Sequence, residues 1–442
     1  MQSLPRGAVL AAERAEGARS FAAGLWFPLG SRHEAPHERG FVHFIEHMAF
    51  KGTARRGAEE LSRAVDRVGG YLNAFTDRDS ICLHCLVPAG EWRLAIDVLA
   101  DMAFCSTFSR EDFEKEREVI VAEILSARDD PDERSHDELL ARVWPGDPAA
   151  LKIAGEPEDL RRADRDSLFD FYRRAFAPSA LLAAAAGPVP PEDVATELAA
   201  RIEALAPGGP PPFPTRPSVT PRFEPSRVYR SAPMEQVHYY EVVQLDPPFV
   251  EGDYYALSAL NGAIGEASSS RLFQSLRERR GLCYSVYSAF SMEKSECLWM
   301  ASANVSPDQL PELGKELGNE LDAIAERGLT DRECEEASTR LAGSFEIALD
   351  DPDFRMRRLA RQASFTGSIL SEEETSSRLR AVGPGEIRDM SRRLLAGRDR
   401  ARFAYGRKSA RAAKALGLDR DDAPETPPEA VPEAALEEKD RG

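Results

Sequence analysis

Proline and glycine crowd residues 207–222 of this 442-residue chain, and that segment constrains the fold more than any other feature. Proline fixes its own backbone angle and lacks an amide hydrogen, so such a run cannot form a helix or a central strand. We predict a semi-extended linker there, between a first domain at 1–206 and a second at 223–420. Two domains also suit the length, because a chain of this size exceeds what one hydrophobic core organises.

The two halves show the same order of elements, which indicates an internal duplication. In residues 85–132 a strand-like run leads into an amphipathic helix and then a long helix, ending in Asp-Asp-Pro-Asp. Residues 303–353 repeat that order and end on the same four residues. The repeat predicts an α+β fold of two homologous α/β-roll domains in tandem, each an antiparallel-rich sheet flanked by helices.

The stretch GFVHFIEHMAFKGT, at 40–53, places two of the chain's seven histidines one helical turn apart. Residues i and i+4 share a helix face, so His43 and His47 can bind one metal ion there. Glu46 leans over the same face, where it can reach a water on that ion. This is the H-E-x-x-H zinc helix in reverse order. An accidental pair on an ordinary buried helix is the alternative.

A catalytic zinc ion usually takes a third protein ligand and keeps one position for water. Glu116 and Glu123 fall on one face of the predicted long helix. We predict Glu123 as the ligand and Glu116 as support for a ligating imidazole. Taken alone, both would be ordinary solvated charges. Their counterparts in the second half are Ala337 and Ser344, so the whole set is confined to the first half.

Composition narrows the class of protein. The net charge of −18 argues against nucleic-acid binding, and the lack of a long apolar run argues against membrane insertion, so we expect a cytoplasmic protein. Six scattered cysteines suit reduced thiols, and the Cys82–Cys85 pair lacks the second pair that a zinc site needs. The acidic, proline-rich tail at 421–442 is predicted to be disordered.

These motifs together resemble the pitrilysin/insulinase family of inverted-motif zinc peptidases, and more narrowly its short-chain, mitochondrial-processing-peptidase-like branch. The resemblance rests on GSRHE at 30–34, the stretch at 40–53, GGYLNAFT at 69–76 and EREVIVAEI at 116–124. The segment SIC at 80–82 departs from the pattern common in the family, without touching the metal set.

The resemblance assigns roles in the first half. It implies one Zn²⁺ per chain, bound by His43, His47 and Glu123. It implies that Glu46 is the general base, taking a proton from a water that the zinc activates. Glu116 matches a second acidic position that supports the site.

The resemblance also implies where a peptide lies. A strand containing Asn73 and Ala74 would be a sheet edge that accepts the substrate backbone as an added strand, with Phe50 as a further substrate contact. We expect Asn73 and Thr76 to face outward on this strand. An ordinary exposed edge with a polar rim is the alternative.

The second half and the assembly follow the same resemblance. From the residues alone, Arg277 and Tyr284 suit structural packing better than catalysis. The resemblance implies instead that they contact the substrate carbonyl and backbone. It also implies a closed chamber of four domains, of which this chain supplies two. A homodimer with two shared sites is expected, with a heterodimer with a homologous chain as the second possibility.

The function expected is that of a zinc-dependent endopeptidase hydrolysing oligopeptides or unfolded leader peptides, preferably basic ones, inside a dimeric chamber. One alternative is a non-catalytic scaffold subunit, or one half of a heterodimeric processing-peptidase-like complex. Another is an unrelated zinc hydrolase with a different third ligand and no role for Arg277.

Overall fold

The computed structural model describes residues 1–206 and 219–421. The predicted linker therefore falls mostly outside the described residues, as does the predicted disordered tail after Asp421. Asp421 ends a strand, so the second half continues one residue past the predicted boundary at 420. Among the helices of the described ranges, none combines the length and the apolar character needed to cross a bilayer.

The first half contains six strands and eight α-helices among its described residues. The strands are β1 (Gln2–Ser3), β2 (Val9–Arg14), β3 (Ser20–Phe27), β4 (Tyr71–Thr76), β5 (Ile81–Pro88) and β6 (Leu182–Gly187). The helices are α1 (Phe41–Ala49), α2 (Ala58–Asp66), α3 (Trp92–Cys105), α4 (Arg110–Asp129), α5 (Pro131–Val143), α6 (Pro157–Arg162), α7 (Arg165–Ala175) and α8 (Pro191–Leu205). The sheet order is β1-β2-β6-β3-β5-β4, and within it only β2 and β6 pair in parallel.

The second half has six strands and seven α-helices in its described part. The strands are β7 (Arg227–Ser231), β8 (Val237–Leu245), β9 (Ser285–Met292), β10 (Cys297–Val305), β11 (Ala401–Gly406) and β12 (Asp419–Asp421). The helices are α9 (Glu251–Asn261), α10 (Leu310–Arg327), α11 (Asp331–Ala348), α12 (Pro352–Thr366), α13 (Glu372–Ala381), α14 (Pro384–Leu395) and α15 (Ala410–Leu416). Two π-helical segments, Gly262–Glu266 and Phe273–Arg279, lie between α9 and β9.

The two sheets repeat one plan. Without the outermost β1 and β12, the order β2-β6-β3-β5-β4 matches β7-β11-β8-β10-β9. This confirms the predicted tandem of homologous, antiparallel-rich α+β domains. The sequence alone places the counterpart of the 40–53 stretch near residues 268–282, which contain no histidine. That detail is wrong, because by element order the counterpart of α1 is α9. Helix α9 also contains no histidine, so the histidine pair is still confined to the first half.

Each half contributes one helix that packs on the sheet of the other half. Helix α12, from the second half, covers the outer face of the first sheet, and helix α5, from the first half, covers the outer face of the second. Burial on both faces explains why the central strands are almost continuously apolar. Most side chains that the first sheet presents to α12 are small. The cluster between them consists of Ala11, Ala22, Trp26, Cys82, Ala184, Ala186, Met356, Leu359, Ala360 and Ala363.

The repeated Asp-Asp-Pro-Asp motif marks the start of each exchanged helix. Asp130 caps α5 by accepting the amide hydrogens of Asp132 and Glu133, and Asp351 caps α12 by accepting that of Asp353. The proline that follows each cap occupies the first helical turn, where no amide hydrogen is needed. The motif is therefore a helix-start signal, used once in each half.

Cys82 and Cys85 are buried free thiols on β5, as the interpretation of them as structural residues requires. Their side chains point to opposite sheet faces, because one joins the α12 cluster and the other the first core. Burial raises the pKa of Cys85 to about 12, which keeps it protonated at neutral pH. The pair is neither a metal site nor a redox motif.

We predict that Leu359→Ala, in the second half, destabilises the first. Leu359 is fully buried against the first sheet, and a Leu→Ala cavity costs about 2–5 kcal/mol. Hydrogen exchange should therefore accelerate in β3 and β6. Leu313→Ala on α10, equally buried but within the second half's own core, is the matched control. If hydrogen exchange in β6 of the Leu359→Ala variant is unchanged, the packing of α12 on the first sheet does not stabilise that sheet.

Candidate metal centre

Helix α1 carries the predicted histidine pair on its less buried side. The helix begins after Gly40, whose positive φ of 82° and close approach to the Ala154 carbonyl leave no room for a side chain. Its opposite side is apolar and buried: Phe41, Val42, Phe44, Ile45, Met48 and Ala49. The Phe44 ring stacks on Phe113 of α4, with ring centroids 4.8 Å apart and an interplanar angle of 6°. This contact fixes the spacing between the two helices.

The packing brings the three predicted metal ligands together. The Nε2 atom of His47 lies 3.3 Å from one carboxylate oxygen of Glu123, and Nε2 of His43 lies 3.8 Å from the other. One donor atom from each of the three residues falls within 4.8 Å of the others, and no second group of this kind occurs in residues 1–206 or 219–421. Two imidazoles and a carboxylate are the donor set of many catalytic zinc sites, so the residues present fit a zinc ion.

Glu116 supports His47, as predicted. It is buried, and one carboxylate oxygen lies 3.1 Å from Nδ1 of His47. A carboxylate on the second ring nitrogen orients the imidazole and leaves Nε2 free to bind metal. Lys51, which the sequence reasoning did not single out, donates to the other Glu116 oxygen at 2.7 Å. The only hint of Lys51 in the sequence is its place one helical turn after His47.

His43 is held ready as a neutral ligand. Its side chain is largely buried, and burial, followed by the charge of His47, lowers the pKa of His43 to about 4. The imidazole is therefore unprotonated at neutral pH, as metal binding requires. Its Nδ1 atom is buried and has no hydrogen-bond partner in the described structure.

Glu46 lies beside this donor set and is held from strand β4. The Thr76 hydroxyl donates a hydrogen bond to the Glu46 carboxylate. Burial raises the pKa of Glu46 above its ordinary value, while the Thr76 hydrogen bond and His47 oppose that rise. A raised pKa suits a general base that works near neutral pH. Thr76 thus contacts the predicted base, which corrects the expectation that it faces outward.

The predicted substrate strand is a sheet edge. Among the strands of residues 1–206 and 219–421, β4 pairs with β5 alone, and no described strand pairs with its other edge. Asn73 is exposed, and its side-chain oxygen accepts the amide hydrogen of Ala74 at 2.9 Å. The Ala74 amide is thus held by a side chain that a bound peptide could displace. Phe50, just after α1, is partly buried against the first core.

Arg277 and Tyr284 lie against each other in the second half. Arg277 lies on the second π-helical segment, with its guanidinium 5.1 Å from the centre of the Tyr284 ring and 4.7 Å from that of Phe273. Tyr284 is 79% exposed. No hydrogen bond or ion pair in the described structure joins either residue to the metal ligands. The two side chains contact each other, and their predicted contact with substrate stays a prediction.

Glu34 is a further residue that sequence reasoning missed. It is buried, and its two carboxylate oxygens accept the amide hydrogens of Gly40 and Val42, each at 2.8 Å. It therefore caps the metal helix from a segment that precedes it by several residues, which a search for local capping motifs does not detect. Burial raises the pKa of Glu34 to about 8, although the two amide hydrogen bonds oppose the rise.

The fold and this site together define a class of protein. Tandem α/β domains, an H-x-x-E-H helix and a carboxylate from a neighbouring helix are the features of an inverted-motif zinc peptidase. The sequence profile described as "Insulinase (Peptidase family M16)" matches residues 9–156, and "Peptidase M16 inactive domain" matches 162–341. The chain belongs to peptidase family M16, the insulinase family, which confirms the predicted resemblance. Family and donor set make the protein a zinc metallopeptidase.

Individual relatives agree with this assignment. A protein named "Uncharacterized zinc protease" from Streptomyces coelicolor is 35% identical over 401 residues, covering 89% of this chain and 86% of that protein. A crystal structure titled peptidase M16 inactive domain, from Pseudomonas fluorescens, has a TM-score of 0.83 at 20% identity. A protease from Helicobacter pylori has the same TM-score at 18% identity. Both structures cover 92% of this chain and 98% of their own, and they support the fold.

We predict that Glu34 makes the stability of the zinc-free protein fall as the pH rises. The pKa of Glu34 is about 8 in the folded protein against an ordinary 4.5, so the folded state binds this proton more tightly. Raising the pH between those values therefore favours unfolding, by at most about 1.4 kcal/mol per pH unit. Glu34→Gln does not titrate, and the wild type's advantage over it should shrink steadily towards pH 8.

Urea denaturation of both proteins at several pH values measures this difference. Comparing the two proteins removes the contribution of every other titrating group. A difference in unfolding free energy that stays constant across the range would contradict the prediction.

Proposed function

We propose that the protein is a zinc-dependent endopeptidase acting on oligopeptides and unfolded leader-type peptides. The observation that carries the proposal is the contact between Thr76, the last residue of the free edge strand β4, and Glu46, the carboxylate beside the three metal donors. A peptide added alongside β4 would run directly towards the base and the metal centre. One hydrogen bond therefore links the proposed peptide-binding strand to the proposed general base.

The roles of the residues follow from their positions. A zinc ion held by His43, His47 and Glu123 would supply Lewis acidity, activating water and polarising the scissile carbonyl. Glu46 is positioned to accept the proton of the attacking water and to pass it to the leaving amine. Asn73 and the Ala74 amide belong to the strand edge that would bind the substrate backbone.

Within the described ranges, the metal centre lacks a side chain that could donate to the carbonyl oxygen of the substrate. In this proposal the second half supplies that donor. No cationic side chain of the first half contacts the metal ligands among the described residues, whereas Arg277 and the exposed Tyr284 form a ready pair in the second half. We place this pair at the metal centre of another copy, in a homodimer that encloses one chamber with two shared sites. The net charge of −18 favours basic peptides inside that chamber.

A non-catalytic scaffold is less well supported. Such a role needs neither metal donors nor a general base, yet His43, His47, Glu123, Glu46 and the supporting Glu116 are all present and adjacent. A zinc hydrolase with a different third ligand is also disfavoured, because Glu123 is the carboxylate that reaches both imidazoles.

We predict that Glu46→Gln abolishes peptide cleavage and leaves zinc binding intact, because it removes the base and keeps all three ligands. A quenched basic peptide measures cleavage, and metal analysis measures the expected one zinc per chain. Loss of a general base typically costs 10²-fold or more in rate. His47→Ala is the matched control and should lose both zinc and activity. Undiminished cleavage by Glu46→Gln would rule out this mechanism.

We predict that two inactive variants recover activity when mixed. A dimer of one Glu46→Gln chain and one Arg277→Ala chain contains one metal centre with its base and the other chain's arginine intact. Mixing under conditions that exchange subunits should restore about a quarter of the wild-type rate, since half the dimers are mixed and each has one working site of two. Absence of any recovery, with exchange verified by mass, would show that Arg277 does not act at the metal centre of the other chain.

A further inference from the structure

The segment GSRHE at 30–34, here called the 30–34 segment, contacts three parts of the molecule at once. It lies between strand β3 and the metal helix α1. It reaches the turn after the substrate strand, the metal helix and the second half of the chain, and the chemistry proposed above uses none of its residues. Each contact is made by a different group of the segment.

Arg32 makes the contact to the second half. Its side chain is only 6% exposed, and its guanidinium lies 2.8 Å from the carboxylate of Glu296, which is 7% exposed. It also donates to the hydroxyl of Ser295 and to the backbone carbonyl of Val219, each at 3.3 Å. Glu296 and Ser295 lie in the tight turn between β9 and β10. A charge pair this buried is costly to break on one side only.

The backbone of the segment makes the contact to the turn after strand β4. The amide hydrogens of Ser31 and Arg32 are donated to the carbonyls of Asp77 and Arg78, each at 3.2 Å. A Cβ on Gly30 would lie 2.4 Å from the Arg78 backbone, so only glycine permits this approach. Arg32 adds a side-chain hydrogen bond to Asp79 at 3.3 Å. The turn at 77–80 is thereby fixed directly after Thr76.

Glu34 makes the contact to the metal helix, through the two amide hydrogen bonds to Gly40 and Val42 described above. Within five residues, the chain therefore connects the second half to the first turn of α1 and to the turn that directly follows Thr76, the residue that holds Glu46. The turn that follows Thr76 and the helix that carries Glu46 therefore both contact this one segment.

We propose that the 30–34 segment couples the second half of the chain to the catalytic base, with Arg32 as a positioning residue. The β9–β10 turn, bound through Arg32, sets the turn at 77–80, and with it the place of Thr76 against Glu46. Strand β9, which leads into this turn, begins directly after Tyr284. A displacement of β9 by substrate or by a second copy would therefore reach the base. The effect on catalysis rests on the proposed function, and the effect on structure does not.

Hydrogen exchange on Glu296→Gln, a change confined to the second half, tests the coupling. Exchange should accelerate at 77–80 and in the first turn of α1, both in the other half, while α8 keeps its wild-type exchange. Arg32→Met should give the same pattern. If the acceleration stays within 293–296, or if it spreads evenly over the chain, the proposed coupling is wrong.

Steady-state kinetics test the positioning role. Arg32→Met and Glu296→Gln should each lower kcat about tenfold or more, because a small misplacement of a catalytic group has a large effect, while zinc content and KM hold. The double variant should lose no more than either single one, since both break the same contact. Arg32→Lys should recover part of the rate, and Arg14→Met, at an exposed ion pair of the same half, is the matched control.

The hydrogen-exchange experiment and the kinetic experiment test separate claims. Wild-type-like kcat in Arg32→Met and Glu296→Gln would overturn the positioning role, as would losses that add in the double variant. A wild-type protein that cleaves no peptide would contradict the proposed function, and the exchange experiment would still decide whether the coupling exists.

Discussion

The stacking of Phe44 on Phe113 is the contact on which the metal centre depends. It presses α1 against α4, and only in that arrangement do the imidazoles of one helix meet the carboxylates of the other. The apolar side of α1 supplies the burial, and the polar side is thereby oriented towards Glu116 and Glu123. The hydrophobic effect thus pays for bringing together groups that would otherwise remain hydrated.

The duplication separates structure from chemistry. Both halves contain the same sheet order and the same long second helix after the central strands, yet α11 has Ala337 and Ser344 where α4 has its two glutamates. The fold therefore does not require these carboxylates. What the second half gives in return is structural as well as chemical. Helix α12 closes the first sheet, and the β9–β10 turn binds Arg32, so the metal-bearing half is incomplete alone.

Buried carboxylates are the recurring device around the site, and each is held differently. Glu34 accepts two backbone amides at the start of α1, Glu116 lies between His47 and Lys51, and Glu46 accepts the Thr76 hydroxyl. Burial raises the pKa of Glu34 and of Glu46, which favours the neutral form of these two carboxyls. The identity of the partner then decides the role: a cap, an orienting group or a base. This variety explains how several acids from different elements can surround one site without equivalent chemistry.

The sequence by itself determined the duplicated α+β plan and the candidate metal donors, because these are written as local periodicity and spacing. It also determined that only the first half carries the site. Tertiary structure alone decided that α5 and α12 exchange sheets, that Thr76 turns inward to Glu46, and that Lys51, Glu34 and Arg32 complete the surroundings. Those contacts join residues far apart in the chain, and no local pattern records which distant surface a side chain will meet once the helices have packed.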